Sequence, residues 1–107
     1  MVSENSLFIA VILGTAREGR RSEHATRFVY EEVQKREGME TALLDARDFR
    51  LPATNDSGTT EVAKKLAEIT GRADGFIIVS PEYNHGYPGE LKMMLDLSDG
   101  QYARKPV

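Results

Sequence analysis

Apolar residues in this chain alternate between short unbroken runs and longer stretches where they recur every third or fourth position. Leu7–Leu13 reads LFIAVIL, continuous and rich in β-branched side chains. That is the pattern of a strand buried on both faces. Gly14 closes the run, and polar residues follow from 15 to 21. Ser22 is placed to cap a helix, with Glu23 in the first turn. Ala25, Phe28, Val29 and Val33 recur at helical spacing and predict its inward face, while Arg27, Glu31, Glu32 and Lys35 take the other faces. Gly38 suits the stop.

A shorter second strand is predicted at 41–46. A long loop follows at 47–58, punctuated by Pro52, Asn55, Asp56 and Gly58. Val62, Ala63, Leu66, Ala67 and Ile69 mark a second helix ending at Gly71, and residues 75–80 form a third buried strand. Another polar loop spans 81–87. Pro88 suits the first position of a third helix, whose stripe is Leu91, Met94 and Leu95 and whose end is Gly100. Residues 105–107 read as the approach to a fourth strand.

Strands alternating with helices predict an α/β fold, a parallel sheet with right-handed crossovers and both faces covered. In such sheets ligands sit beyond the carboxyl ends of the strands. The loops after the first and third strands therefore share one edge. Composition narrows the chemistry by exclusion. The 107 residues, 40% hydrophobic and 29% charged, suit one domain spanning 1–107. A net charge of −3 argues against a general nucleic-acid or membrane-surface binder. With no cysteine there is no disulfide scaffold, thiolate metal site or cysteine nucleophile. Two histidines far apart, His24 and His85, give a metal site little support. The longest apolar run is too short to span a bilayer, and the first five residues lack signal-peptide features. A cytoplasmic location is the expectation.

Residues 14–22, GTAREGRRS, carry the parts of an anion cradle. Gly14 and Gly19 permit tight backbone, and Thr15 and Ser22 offer hydroxyls. The helix start presents unpaired N–H groups, and Arg17, Arg20 and Arg21 add cations. GxxxxGK[ST] fails at Arg20 and Arg21, and GxGxxG fails at Ala16. Asp45, near the end of the second strand, leaves a degenerate dinucleotide fingerprint open as a ribose-binding acid. The plainer alternative is a capped strand-to-helix turn with solvated arginines. Residues 80–89, SPEYNHGYPG, form a second constellation. Prolines stiffen both ends, Gly86 and Gly89 allow close approach, Tyr83 and Tyr87 bring aromatic faces, and Asn84 is both donor and acceptor. Such a loop suits a planar heterocycle; a rigid connector with packed tyrosines is the alternative.

Gly14-Thr15-x-Arg17 with Ser22, and Pro81-Glu82-Tyr83-Asn84 leading into Pro88-Gly89-Glu90-Leu91-Lys92 and Leu95-Asp96, resemble the NADPH-dependent FMN reductase family. Thr15 stands where that family usually has serine, and His24 where asparagine is common. The resemblance implies a flavodoxin-like three-layer parallel sheet. Strand order 2-1-3 would be present, and the chain would stop before the fourth strand of the family fold. It further implies that Gly14, Thr15, Arg17 and Ser22 hold the FMN phosphate. Pro81, Glu82, Tyr83 and Asn84 would line the isoalloxazine ring, largely through backbone. NAD(P)H would be the co-substrate, and a quinone, azo compound or metal oxyanion the acceptor. No side chain is assigned as a catalytic acid or base, because the flavin carries the chemistry. A dimer or higher homo-oligomer is implied, with Tyr87 and the third helix near the partner. Two other readings stay open: a non-catalytic fragment or subunit needing a complementing chain, and a flavodoxin-like electron carrier. Lys92 and Asp96 read as a helix-surface pair, and Met93 and Met94 as packing residues.

Overall fold

The computed structural model describes residues 6–50 and 59–107. Much of the expected loop at 47–58, including Pro52, Asn55, Asp56 and Gly58, lies outside the described residues. In chain order the elements are β1 (Leu7–Leu13), α1 (Ser22–Gln34), β2 (Met39–Asp45), α2 (Glu61–Arg72), β3 (Gly75–Val79) and α3 (Gly89–Leu95). Single 3-10 turns at Ala46–Asp48 and Gly100–Tyr102 follow β2 and α3.

The three strands are parallel in the order β2-β1-β3. The flavodoxin-like order 2-1-3 is thus present. β1 is central because its continuous apolar run can be buried on both faces. Ala10 stands opposite Ala42 and Phe76, and Ile12 opposite Leu44 and Ile78. Successive side chains of a strand point to opposite faces. Even-numbered positions therefore share one face: Phe8, Ala10, Ile12, Leu44 and Phe76 join Leu66 of α2 and Leu91 and Met94 of α3 in the main core. The odd-numbered face, with Val11 and Leu13 fully buried, lies toward Val33 of α1. Helices on both faces make the expected three layers.

Several boundaries differ from the pattern for physical reasons. α1 begins at Ser22, and Arg21 is the residue before it, with no side-chain cap. Ser22 is thus inside the first turn, not the cap. The inward face of α1 is carried by Thr26 and Val33, whereas Ala25 is exposed and Phe28 is 65% exposed. Thr26 is buried because its hydroxyl donates to Ser22 O at 2.7 Å, so no polar group is left unpaired. α2 is capped by Thr60, whose hydroxyl accepts from Ala63 N. It passes through Gly71 to Arg72 and stops where Ala73 turns extended. Lys105 Nζ then donates to Thr70 O and Gly71 O, both at 2.9 Å. Pro88 precedes α3 with extended backbone, and that helix ends at Leu95, ahead of Gly100. Met94 is buried as expected, but Met93 is 40% exposed. Lys92 and Asp96 do pair across the helix surface, at 2.5 Å. Beside β3, Phe76 N donates to Pro106 O at 3.0 Å, so the segment at 105–107 runs alongside that strand.

Candidate functional site

The loops following β1 and β3 meet at the carboxyl edge of the sheet. Gly14 makes the close approach possible. Its N–H donates to Val79 O at 2.9 Å. A Cβ there would stand 3.0 Å from Leu91 Cδ2 and 3.1 Å from Val79 O. Just beyond, buried Thr15 brings its hydroxyl within 3.0 Å of the Tyr83 hydroxyl, 68 residues away in sequence. Arg17 N donates to Thr15 Oγ1 at 3.2 Å, and the Arg17 guanidinium lies 5.1 Å from the Tyr83 ring centroid, a cation–π contact. Gly19, with φ at +70°, supplies the left-handed residue that turns the loop toward α1.

The loop after β3 doubles back tightly. Tyr83 and Gly86 exchange both backbone hydrogen bonds, at 2.8 and 3.0 Å. The two residues between them, Asn84 and His85, have φ of 52° and 65°. This is the geometry of a two-residue turn with both central residues left-handed. It places His85 at an exposed tip and turns Tyr83 back toward Thr15.

A cavity of about 410 Å³ lies between the loops, lined by Thr15, Arg17, Tyr83, Asn84, Pro88, Gly89 and Glu90. Of the residues expected from sequence, Thr15, Arg17, Tyr83 and Asn84 come together here. Gly14 lies beneath them as the point of close approach. Ser22, Pro81 and Glu82 do not line the cavity. Pro88, Gly89 and Glu90 do: the sequence places Pro88 and Gly89 in the aromatic loop's constellation, and none of the three among the residues that hold the ring. Their signal was the Pro-Gly pair directly after the aromatic loop.

Two cationic candidates part company. Arg20 turns away from the cavity into a polar cluster, its side chain only 4% exposed. It donates to both carboxylate oxygens of Asp45, at 2.6 and 2.5 Å, to Glu23 at 2.9 Å and to Thr15 O at 2.8 Å. Asp45 also accepts from Arg47 N at 2.9 Å. Burial pushes the Asp45 carboxyl up, but the Arg20 and Arg47 bonds outweigh it and hold the group below its ordinary value. Bonding to Arg20 likewise lowers Glu23, and bonding to Asp45 raises Arg20 further. Asp45 is therefore engaged by a guanidinium rather than presented to a ribose, which removes support for the dinucleotide reading. Arg20 is likewise turned away from the cavity, whereas Arg17 lines it.

The family model described as NADPH-dependent FMN reductase matches residues 8–107. This chain belongs to that family. An NAD(P)H-dependent FMN reductase of Schizosaccharomyces pombe is 30% identical over 108 residues, covering 92% of this chain and 54% of the relative. An NADPH azoreductase of a Bacillus species is 31% identical, with the same coverage of 92% and 54%. The chain thus spans about half the length of these relatives. Among solved structures, an NADH:FMN oxidoreductase in its apo form superposes with a TM-score of 0.79 at 22% identity, covering 94% of this chain and 55% of the other. The flavoenzyme NAD(P)H:acceptor oxidoreductase FerB of Paracoccus denitrificans gives 0.67 at 28% identity, covering 85% and 50%. The fold of this family member is thereby the one its strand order indicates.

Proposed function

We propose that this chain binds FMN at the meeting of its two loops and serves NAD(P)H-dependent reduction of a small acceptor. The observation that carries the reading is the Thr15–Tyr83 contact at 3.0 Å beside the 410 Å³ cavity. It joins an anion-suited loop to an aromatic one. The residues present fit the group. The Thr15 hydroxyl and the Arg17 guanidinium suit a phosphate monoester, for which charge-assisted bonds are the strong ones. Gly14 and Ser22 bound the same loop. Tyr83 and Asn84 offer a flat face and an amide, and Gly89 leaves a wall without a side chain where a planar ring could come close. Pro81 and Glu82 belong to the ring-side loop through their backbone.

When bound, FMN supplies a ring that takes hydride from a nicotinamide and returns electrons to an acceptor. The chain's own residues bind and orient. Arg17 and Thr15 hold the anionic end, and the Tyr83 loop fixes the plane of the ring. No acid or base is assigned among them. Glu82 and His85 are exposed and outside the cavity lining. Relatives named as azoreductase and quinone reductase support a small, planar acceptor. Self-association through exposed Tyr87 and the α3 surface, and a cytoplasmic location, belong to the same reading. Among the described residues no helix is long and apolar enough to cross a membrane.

The test is direct. The purified chain is mixed with FMN, desalted and examined by absorbance before and after anaerobic NADPH. Retained yellow colour that bleaches supports the proposal; protein that stays colourless overturns it for this chain alone. Because the chain spans about half of its relatives, a second reading has the site completed by further polypeptide. Binding restored only by adding the relatives' remaining half would favour that reading. Bound flavin that ignores NADPH but accepts electrons from a separate reductase would favour a carrier.

A further inference from the structure

Three guanidiniums converge on the backbone of the loop after β1. Arg20 Nη1 donates to Thr15 O at 2.8 Å, Arg50 Nη2 to Ala16 O at 2.9 Å and Arg47 Nη2 to Arg17 O at 3.2 Å. Three consecutive carbonyls each meet a different arginine. Two of those arginines come from the segment after β2, 30 and 34 positions away in sequence. A trans peptide directs its N–H opposite to its C=O, and the described chain contains no cis peptide. The amides of Ala16, Arg17 and Glu18 therefore point away from the guanidiniums that hold the preceding carbonyls. Arg17 N provides the check: it donates to Thr15 Oγ1, the oxygen that meets Tyr83 on the cavity side.

Charge separates this role from direct anion binding. Arg20 faces two carboxylates, Asp45 and Glu23, so its own positive charge is already balanced. Its contribution to a bound anion is geometric. Arg50 adds a link from this loop to the first turn of α3, standing 3.7 Å from Glu90 in the cavity wall.

We propose that Arg20, Arg47 and Arg50 are positioning residues that fix residues 15–18 by their carbonyls, and so aim the Ala16 and Glu18 amides, together with the Thr15 hydroxyl that Arg17 N holds in place, at an anion. The identity of that anion, the phosphate monoester of FMN, rests on the function proposed above; the loop geometry does not. The clamp makes the site selective for the phosphorylated flavin over riboflavin, because the groups it orients are N–H donors.

The test uses charge-neutral changes in the full chain. Arg20→Met combined with Asp45→Asn removes one positive and one negative charge together, and the amide oxygen can still accept from Arg47 N. Arg47→Lys and Arg50→Lys keep the charge and lose the planar fork. Two quantities are read: affinities for FMN and riboflavin by flavin fluorescence, and ¹⁵N order parameters of Ala16, Arg17 and Glu18 without ligand. The expected result is FMN weakened about tenfold, as for loss of well-oriented charged bonds, with riboflavin changed less than about twofold. The order parameters of the three amides fall in the same variants. Equal losses for FMN and riboflavin, or unchanged order parameters, would overturn the proposal. If the double variant does not fold, the exposed Arg47 and Arg50 changes decide by the same two readouts. If the unaltered protein binds no FMN, the flavin reading fails by itself, and the order parameters alone decide the clamp.

Discussion

At the scale of single residues, chemistry in this site is divided between a cation that lines the cavity against Tyr83 and one tied to carboxylates. Arg17 and Arg20 lie three positions apart in the same loop, and residue type alone gives them equal claim on an anion. The structure puts Arg17 in the cavity wall and surrounds Arg20 with Thr15 O, Asp45 and Glu23. Arg17→Ala is expected to weaken FMN binding by about 1–3 kcal/mol, the range for hydrogen bonds to charged groups. Titration of flavin fluorescence checks it, and unchanged affinity would count against the phosphate assignment. At the hairpin tip His85 has φ of 65°, a left-handed conformation that costs a non-glycine residue energy. His85→Gly should stabilise the protein by about 0.5–1 kcal/mol, read as a higher urea midpoint. Asn84, also left-handed, tolerates that region better, so the same change there should gain less.

At the scale of elements, strand positions were legible and helix faces less so. β1 is recognisable because an unbroken apolar run has one economical use in an α/β fold, the centre of the sheet. The face of α1 matches its pattern at Val33 and departs from it at Ala25 and Phe28, because periodicity counts apolar side chains and cannot see a threonine that satisfies its own hydroxyl. Thr26 donates to Ser22 O and faces inward, and Phe28 is left 65% exposed. A paired measurement separates the two patterns. Phe28→Ser should change stability by less than about 0.5 kcal/mol, whereas Val33→Ala, at a buried position, should cost about 2 kcal/mol.

The junction of β2, α1 and the loop also carries a pH dependence. Asp45 is held below its ordinary carboxylate value in the folded chain. A group with a lowered folded pKa stabilises the fold above its unfolded pKa, and the contribution is lost as pH falls through the folded value. Stability from the Arg20–Asp45 pair is therefore complete at neutral pH and declines below the usual carboxylate range, under about pH 4. Urea melts between neutral and acid pH should show a decline that is reduced in an Asp45→Asn variant.

At the scale of the whole molecule, the two loops meet because parallel strands place all their following loops at one edge, and because nothing stands between them at Gly14. A Cβ at that position would press on Leu91 Cδ2 at 3.0 Å and on Val79 O at 3.1 Å. Gly14→Ala should cost about 1–3 kcal/mol, typical of overpacking, and should loosen the Thr15–Tyr83 contact with it. Thermal melts together with FMN titration would show both losses in one variant.

Alternating apolar runs and polar loops in the amino-acid order were enough to determine the α/β class, the parallel sheet and the two loops that share its edge, since these follow from local periodicity and the handedness of connections. Tertiary structure decided which side chains line the cavity and which brace it. Asp45 and Arg20 are 25 positions apart and Thr15 and Tyr83 are 68. Whether such groups pair or face a ligand depends on distances of a few ångströms that arise only once the chain has packed.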